Sequence, residues 1–529
     1  MTDDYRLSGF AFGVREPADY GTHVCIPSAH LSHNWGTDES VDQTKMMLRF
    51  RSFAALAAAA TLASQTSAFS PKGSAAAGVR SVATDPLGAT TLVPPGVGSN
   101  WMPNFNAPQQ DPEDDRKGGY MVDLDGIAFS GLKGKALSIA PEDFPEPGKL
   151  RSVIPKDCFQ PDTLTSLGYL SVSVVGTAIC EAVGVNMLSL FDPASLWTLP
   201  IWTAYSAVTG TVAMGLWVLA HECGHGAFSK DKKLQDAIGF VLHSIMLVPY
   251  FSWQRSHAVH HKYTNHMELG ETHVPEPMGE TEKDGAYGGR QAVIDALGTK
   301  NGLTAWASLQ AFLHLGIGWP AYLLIGATGG PDRGMTNHYV ANPLTTPKQP
   351  NKELFPGKWK EKVYKSDIGV AAVLAGALAW GACNGPAQVM ALYGGPLIIV
   401  NAWLVLYTWL QHTDVDVPHF SEDNHNFVKG ALHTIDRPYD KLDPFGAIDF
   451  LHHQIGTTHV AHHFESSIPH YKAERATEAI KENYPQLYLY DPTPIPQALW
   501  RICKGCVAVE KRGDYWVWNN KGLEKEMEV

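Results

Sequence analysis

The chain has 529 residues, a formal net charge of −12, seven cysteines and 44% hydrophobic residues, with a mean hydropathy of −0.13. That length admits two or three soluble domains, but the apolar residues fall in blocks rather than evenly. The acidic balance excludes nucleic-acid binding as a main role, and the scattered cysteines do not form a disulfide framework.

In chain order, residues 1–45 read as an upstream extension. Residues 46–81 read as a presequence: Met46-Met-Leu-Arg-Phe-Arg51 is basic, Phe53–Ala63 is apolar, and a Ser/Ala/Gly-rich, acid-free stretch runs to Arg80. The apolar core is too short to span a bilayer, which needs roughly 20 residues. Residues 82–157, rich in Pro, Gly and Asp, read as an extended soluble arm. The main domain covers 158–490, and 491–529 is a C-terminal tail with a strand-like stretch from Val507 to Trp518. Cys503-Lys-Gly-Cys506 is one isolated pair, weak evidence for metal or redox chemistry.

Five apolar blocks follow the arm: Leu164–Cys180, Leu196–Ala220, Ala305–Gly326, Ile368–Ala382 and Leu392–Leu410. They predict an all-α integral membrane protein of two transmembrane hairpins, about four spans, with a histidine-rich di-metal cap on one face. Three histidine clusters abut these blocks: His221-Glu-Cys-Gly-His225, His257-Ala-Val-His260-His261 and His459-Val-Ala-His462-His463. Histidines at i and i+4 share a helix face, and neutral imidazole is the commonest metal ligand. His412, at the end of the last apolar block, makes a ninth candidate.

To reach one site the clusters must lie on one side of the bilayer, so an even number of crossings separates them. Ala237–Phe251 is then interfacial or re-entrant, and Ala305–Gly326 lies in the plane or dips and returns. Lysines 348, 352, 358, 360, 362 and 365 put the cluster side on the cytosolic or stromal face. Eleven further histidines (243, 266, 273, 314, 338, 419, 425, 433, 452, 453 and 470) are left outside the ligand set. Glu222 and Asp414 are expected to orient ligating imidazoles.

His221-Glu-Cys-Gly-His225 also fits the zinc metallopeptidase pattern H-E-x-x-H, but one tetrahedral zinc cannot use the later clusters. A non-catalytic metal-binding or transport protein is a second alternative, with sites expected near the midplane instead.

The three clusters resemble the histidine boxes of the membrane fatty-acid desaturases. The likeness covers roughly Pro155 to Tyr490, and Ala220–His225, Trp253–His257 and Thr458–His463 followed by Ile468-Pro-His-Tyr471 look like the methyl-end branch of Δ12 and ω-3 enzymes. Trp409–His419 and His453–His459 look more like algal ω-3 enzymes. Box one departs from the plant pattern in having Gly226 where a third histidine is common.

The resemblance implies two iron ions held by the nine histidines, dioxygen as co-substrate, and removal of two adjacent hydrogens from a lipid-linked unsaturated acyl chain, with ω-3 favoured over Δ12. Related hydroxylases and acetylenases share the boxes. With no His-Pro-Gly-Gly haem stretch, electrons are expected from a separate ferredoxin or cytochrome b5. Residues 46–80, with Phe69 after Ala68, resemble the bipartite presequences of secondary plastids, which favours a plastid membrane over the endoplasmic reticulum.

Overall fold

A computed structural model describes residues 131–341, 352–520 and 523. The expected extension and presequence lie outside the described residues.

The fold is an α-helical membrane bundle with a cap. Helix α1 (Thr163–Met187) starts at Asp162, whose carboxylate accepts from the Thr165 amide at 2.8 Å, satisfying one of the free N–H groups of the first turn. Helix α2 (Leu199–His225) carries Pro200 in its first turn and ends at Gly226, whose φ of 84° places it in the left-handed region that glycine adopts without strain. The first histidine pair therefore occupies the last turn of a membrane helix.

Helix α3 (Lys232–Ile245) is capped by Asp231. Helix α4 (Tyr250–Lys262), which carries the second cluster, follows after a bend of 102°. This bent pair covers the stretch predicted to be interfacial or re-entrant. Helix α5 (Thr299–Phe312) runs through a π turn at Leu313–Gly318 into Trp319–Ile325. Helices α6 (Trp359–Asn384) and α7 (Gly395–His412) form a hairpin about Gly385, φ 93°.

Among the described residues, five stretches are long and apolar enough to cross a membrane: Thr163–Met187, Leu196–His225, Thr299–Ile325, Trp359–Asn384 and Pro386–His412. The one beyond the four secure spans is Thr299–Ile325, the segment that parity places in the plane or dipping and returning. Its interruption falls at the π turn. The apolar windows of α1 and α6 are only 17% and 11% buried within the protein, so Val174, Ile179, Leu374 and Leu378 face outward. In water that much exposed apolar helix would be untenable; in lipid it is required. The two hairpins meet where α7 crosses α2 at Gly210, where an added Cβ would lie 2.5 Å from both Ile399 Cβ and the Pro396 carbonyl oxygen.

The cap is built from short elements. Helix α8 (His459–Phe464) carries the third cluster, and α9 (His470–Asn483) and α10 (Ile495–Gly505) follow. Strands β1 (Glu276–Pro277), β2 (His419–Phe420), β3 (Ala508–Arg512) and β4 (Tyr515–Trp518) form one sheet in the order β1-β3-β4-β2, with β1 parallel to β3 and the other pairs antiparallel. Residues 131–157, the last part of the segment read as an arm, contain short helices. Their Leu132, Ala136, Leu150 and Ile154 share an apolar core with Val460, Ala461 and Phe464 of α8.

Candidate metal centre

The nine predicted histidines converge from four helix ends. Ligand nitrogens of His221, His225, His257, His261 and His462 all lie within 4.8 Å of one another, and so do those of His260, His412 and His463. His459 joins the second group, its Nε2 3.0 Å from His412 Nε2. The groups adjoin: the His261 and His463 rings stack with centroids 4.1 Å apart.

The nitrogen spacing fits bound ions. Two nitrogens roughly 2.1 Å from one ion would lie about 3.0 Å apart at a right angle and about 3.4 Å apart at the tetrahedral angle. The Nε2–Nε2 separations are 3.1 Å for His221–His225, 3.2 Å for His257–His261 and 3.1 Å for His260–His412. These values sit near the right-angle limit. His462 Nε2 and His463 Nε2 are buried without any hydrogen-bond partner, a cost that an ion would remove. Burial, then the neighbouring imidazoles, holds His459, His462 and His463 well below the ordinary histidine range, so each keeps a lone pair at neutral pH.

The surrounding polar groups behave differently from one another. Glu222 Oε2 accepts from the His470 amide at 2.9 Å, and Oε1 lies 3.6 Å from His221 Nδ1. The carboxylate thus ties the first box to the loop after the third, instead of facing an open coordination position as a peptidase base would. Asp414 does not orient an imidazole. Its oxygens are taken by the Val415 amide and by Arg437 and Arg501, both at 2.6 Å. Arg437 also donates to the carbonyls of Leu410 and Thr413, at 2.8 and 3.4 Å. Those carbonyls flank His412 at the end of α7, where helix acceptors would otherwise go unpaired.

Most of the remaining histidines bind elsewhere. His452 bridges the Tyr407 hydroxyl at 2.8 Å and the Thr211 carbonyl at 2.7 Å, and His453 meets Ser173 Oγ at 3.1 Å. His273 lies beside the second group, although spacing did not single it out. Its ring lies parallel to His412 at 5.4 Å and edge-on to His260 at 6.3 Å. Nothing in a lone Thr-His-Val marks it; only the turn that carries it does.

A cavity of about 250 Å³ opens beside the centre, lined by His257, His260, His273 and apolar residues that include Trp217, Trp253, Ile317 and Leu404. A larger one of about 650 Å³ shares His273, His314 and Thr328 with it and is walled by Trp409, Val507, Trp516 and Trp518. An apolar cavity against a polyhistidine cluster, at the end of membrane helices, is the arrangement of a membrane protein with a candidate metal site that opens to an apolar ligand.

The family model described as "Fatty acid desaturase" matches residues 196–493. The chain is 38% identical over 380 residues to the "Delta(12)-fatty-acid desaturase" of Arabidopsis thaliana, covering 71% of this chain and 91% of that protein. It is 36% identical over 381 residues to the "Omega-6 fatty acid desaturase, endoplasmic reticulum" of Brassica juncea (71% and 91%), and 35% identical over 371 residues to the "Delta(12) fatty acid desaturase" of Mortierella alpina (69% and 88%). The chain belongs to the fatty acid desaturase family: it is an integral membrane oxidoreductase acting on fatty acyl chains.

Proposed function

We propose that the protein introduces a cis double bond toward the methyl end of an unsaturated, lipid-linked acyl chain, with two iron ions and dioxygen. The observation that carries this reading is the two-part histidine cluster opening onto an apolar cavity. His221, His225, His257, His261 and His462 would hold one ion, and His260, His412, His459 and His463 the other. Bound iron supplies the oxidising power an unactivated C–H bond demands, at the expense of dioxygen and two external electrons. The protein's own work is to fix the imidazoles, exclude water with Trp217, Trp253 and Trp319, and present one carbon pair.

The names of the relatives favour Δ12 desaturation. An ω-3 position is the second reading, favoured by Trp409–His419 and His453–His459. The presequence-like residues 46–80 favour a plastid membrane with ferredoxin as donor, whereas the Brassica juncea relative's name supports the endoplasmic reticulum, where cytochrome b5 would serve.

Expression from Met47 in a desaturase-poor yeast fed oleate or linoleate separately, with double bonds located by mass spectrometry and His462→Ala as control, tests this. Linoleate from oleate establishes Δ12 activity, and an ω-3 triene from linoleate establishes the second reading. A hydroxylated or acetylenic product instead would overturn the desaturase chemistry.

A further inference from the structure

Beside the histidines lies a polar group that the metal reading leaves unused. Glu271 is buried, 4% exposed, and lines the 250 Å³ cavity together with His257, His260 and His273. Its Oε2 has no hydrogen-bond partner, and a buried oxygen without a partner is costly unless it has work to do. The groups facing it are the Tyr322 hydroxyl, the Arg333 guanidinium and His338, whose Nε2 lies 3.8 Å from Glu271 Oε1. Burial pushes the Glu271 carboxyl up to about 7, with Tyr322 and Arg333 pulling it down. A carboxyl raised in this way by burial can hold a proton near neutral pH, as a proton-transfer group must.

The segment that holds Glu271 is strained. His273 adopts φ 58° and Thr328 φ 66°, both in the left-handed region disfavoured for side-chain-bearing residues. The Thr328 hydroxyl accepts from the His273 amide at 3.2 Å, and its carbonyl accepts from the Val274 amide at 2.9 Å. This pairing puts Glu271 and His273 on one cavity wall. His273, His314 and Thr328 also line the larger cavity, whose wall includes the exposed Glu276. The two cavities thus share one wall, with Glu271 on the inner side and Glu276 on the outer.

We propose that Glu271 is the proton-delivering residue of the reaction, passing protons from solvent through the adjoining cavities to the oxygen atoms that leave as water. The inference rests on the oxygen-dependent reading above. The balance is –CH2–CH2– + O2 + 2 e⁻ + 2 H⁺ → –CH=CH– + 2 H2O. Two C–H bonds and the O–O bond break, four O–H bonds form, and the electrons come from an external one-electron donor. Two of the four hydrogens in the product water are solvent protons. A centre walled by tryptophans and neutral imidazoles needs a group to carry them.

The test compares the full-length membrane enzyme with Glu271→Gln and Glu271→Asp for iron content, oxygen uptake, product, solvent deuterium isotope effect and the pH profile of kcat. In the wild type, kcat falls as pH rises through the neutral range, because the donor must hold its proton. Glu271→Gln keeps its iron, loses roughly hundredfold in kcat and loses that fall. Glu271→Asp recovers part of the rate and retains a fall in kcat at raised pH. A Gln variant with the wild-type rate or the wild-type limb overturns the proposal. So does loss of iron in both variants, which assigns Glu271 a structural role. If the wild type forms double bonds without consuming one dioxygen each, the oxygen-dependent reading fails instead, whatever the variants do.

Discussion

His260 and His412 lie with their Nε2 atoms 3.1 Å apart although 152 residues separate them, so the end of the last membrane helix completes a cluster begun by α4. Replacing His412 by Ala is expected to lower iron content toward one ion per chain and to cut desaturation at least about a hundredfold. Metal analysis on the purified variant checks this; full iron content would remove His412 from the site.

The position of His412 depends on a buried ion network. Asp414, Arg437, Arg501 and Asp491 are all essentially inaccessible to solvent. Burial alone would raise the Asp414 carboxyl, but the Arg501 and Arg437 guanidiniums outweigh it and hold the group below the ordinary carboxylate range. Arg501→Met strips one partner from two buried carboxylates and is expected to cost about 3–5 kcal/mol. Arg475→Ala, at the half-exposed Asp157 pair, should stay within about 0.5 kcal/mol. Denaturation in detergent distinguishes the two, and equal effects would contradict the assignment.

Acid sensitivity follows from His452 and His453. Burial pushes His452 down to about 4, and burial with the neighbouring His452 pushes His453 down to about 3. The unfolded chain takes up these protons near about 6.5, the folded one only well below. Stability is therefore full above the unfolded value and is lost as pH falls through the window down to the folded ones. Melting temperatures should drop between about pH 6.5 and about pH 4, and the drop should shrink in His453→Gln. A flat profile would contradict this account.

Gly210 marks a close approach between the hairpins. Gly210→Val, which forces Ile399 and the Pro396 carbonyl away, is expected to destabilise by roughly 1–3 kcal/mol. Gly376→Val on α6, where an added Cβ meets nothing within 4 Å, is the neutral comparison.

The membrane helices and the three histidine clusters were legible because each is a local pattern: apolar runs of spanning length, and ligands within about one turn of each other. His412 was legible from its place at the end of a span. Asp414 was misread because its partners, Arg437 and Arg501, lie 23 and 87 residues downstream, and no local spacing announces them. Glu271 and His273 were invisible for a related reason. They are single residues in an irregular turn, and only its contact with Thr328 gives them a shared cavity. Strands β1 and β2 are two residues each, too short for any alternation, and exist only through pairing with β3 and β4.

The central claim is that the histidines form two iron sites. Iron per chain, measured on the purified membrane protein and on His462→Ala and His463→Ala, tests it most directly, since the two residues belong to different groups. The account predicts two irons in the wild type and a loss in each variant. A single ion, or full iron content retained in both variants, would contradict it.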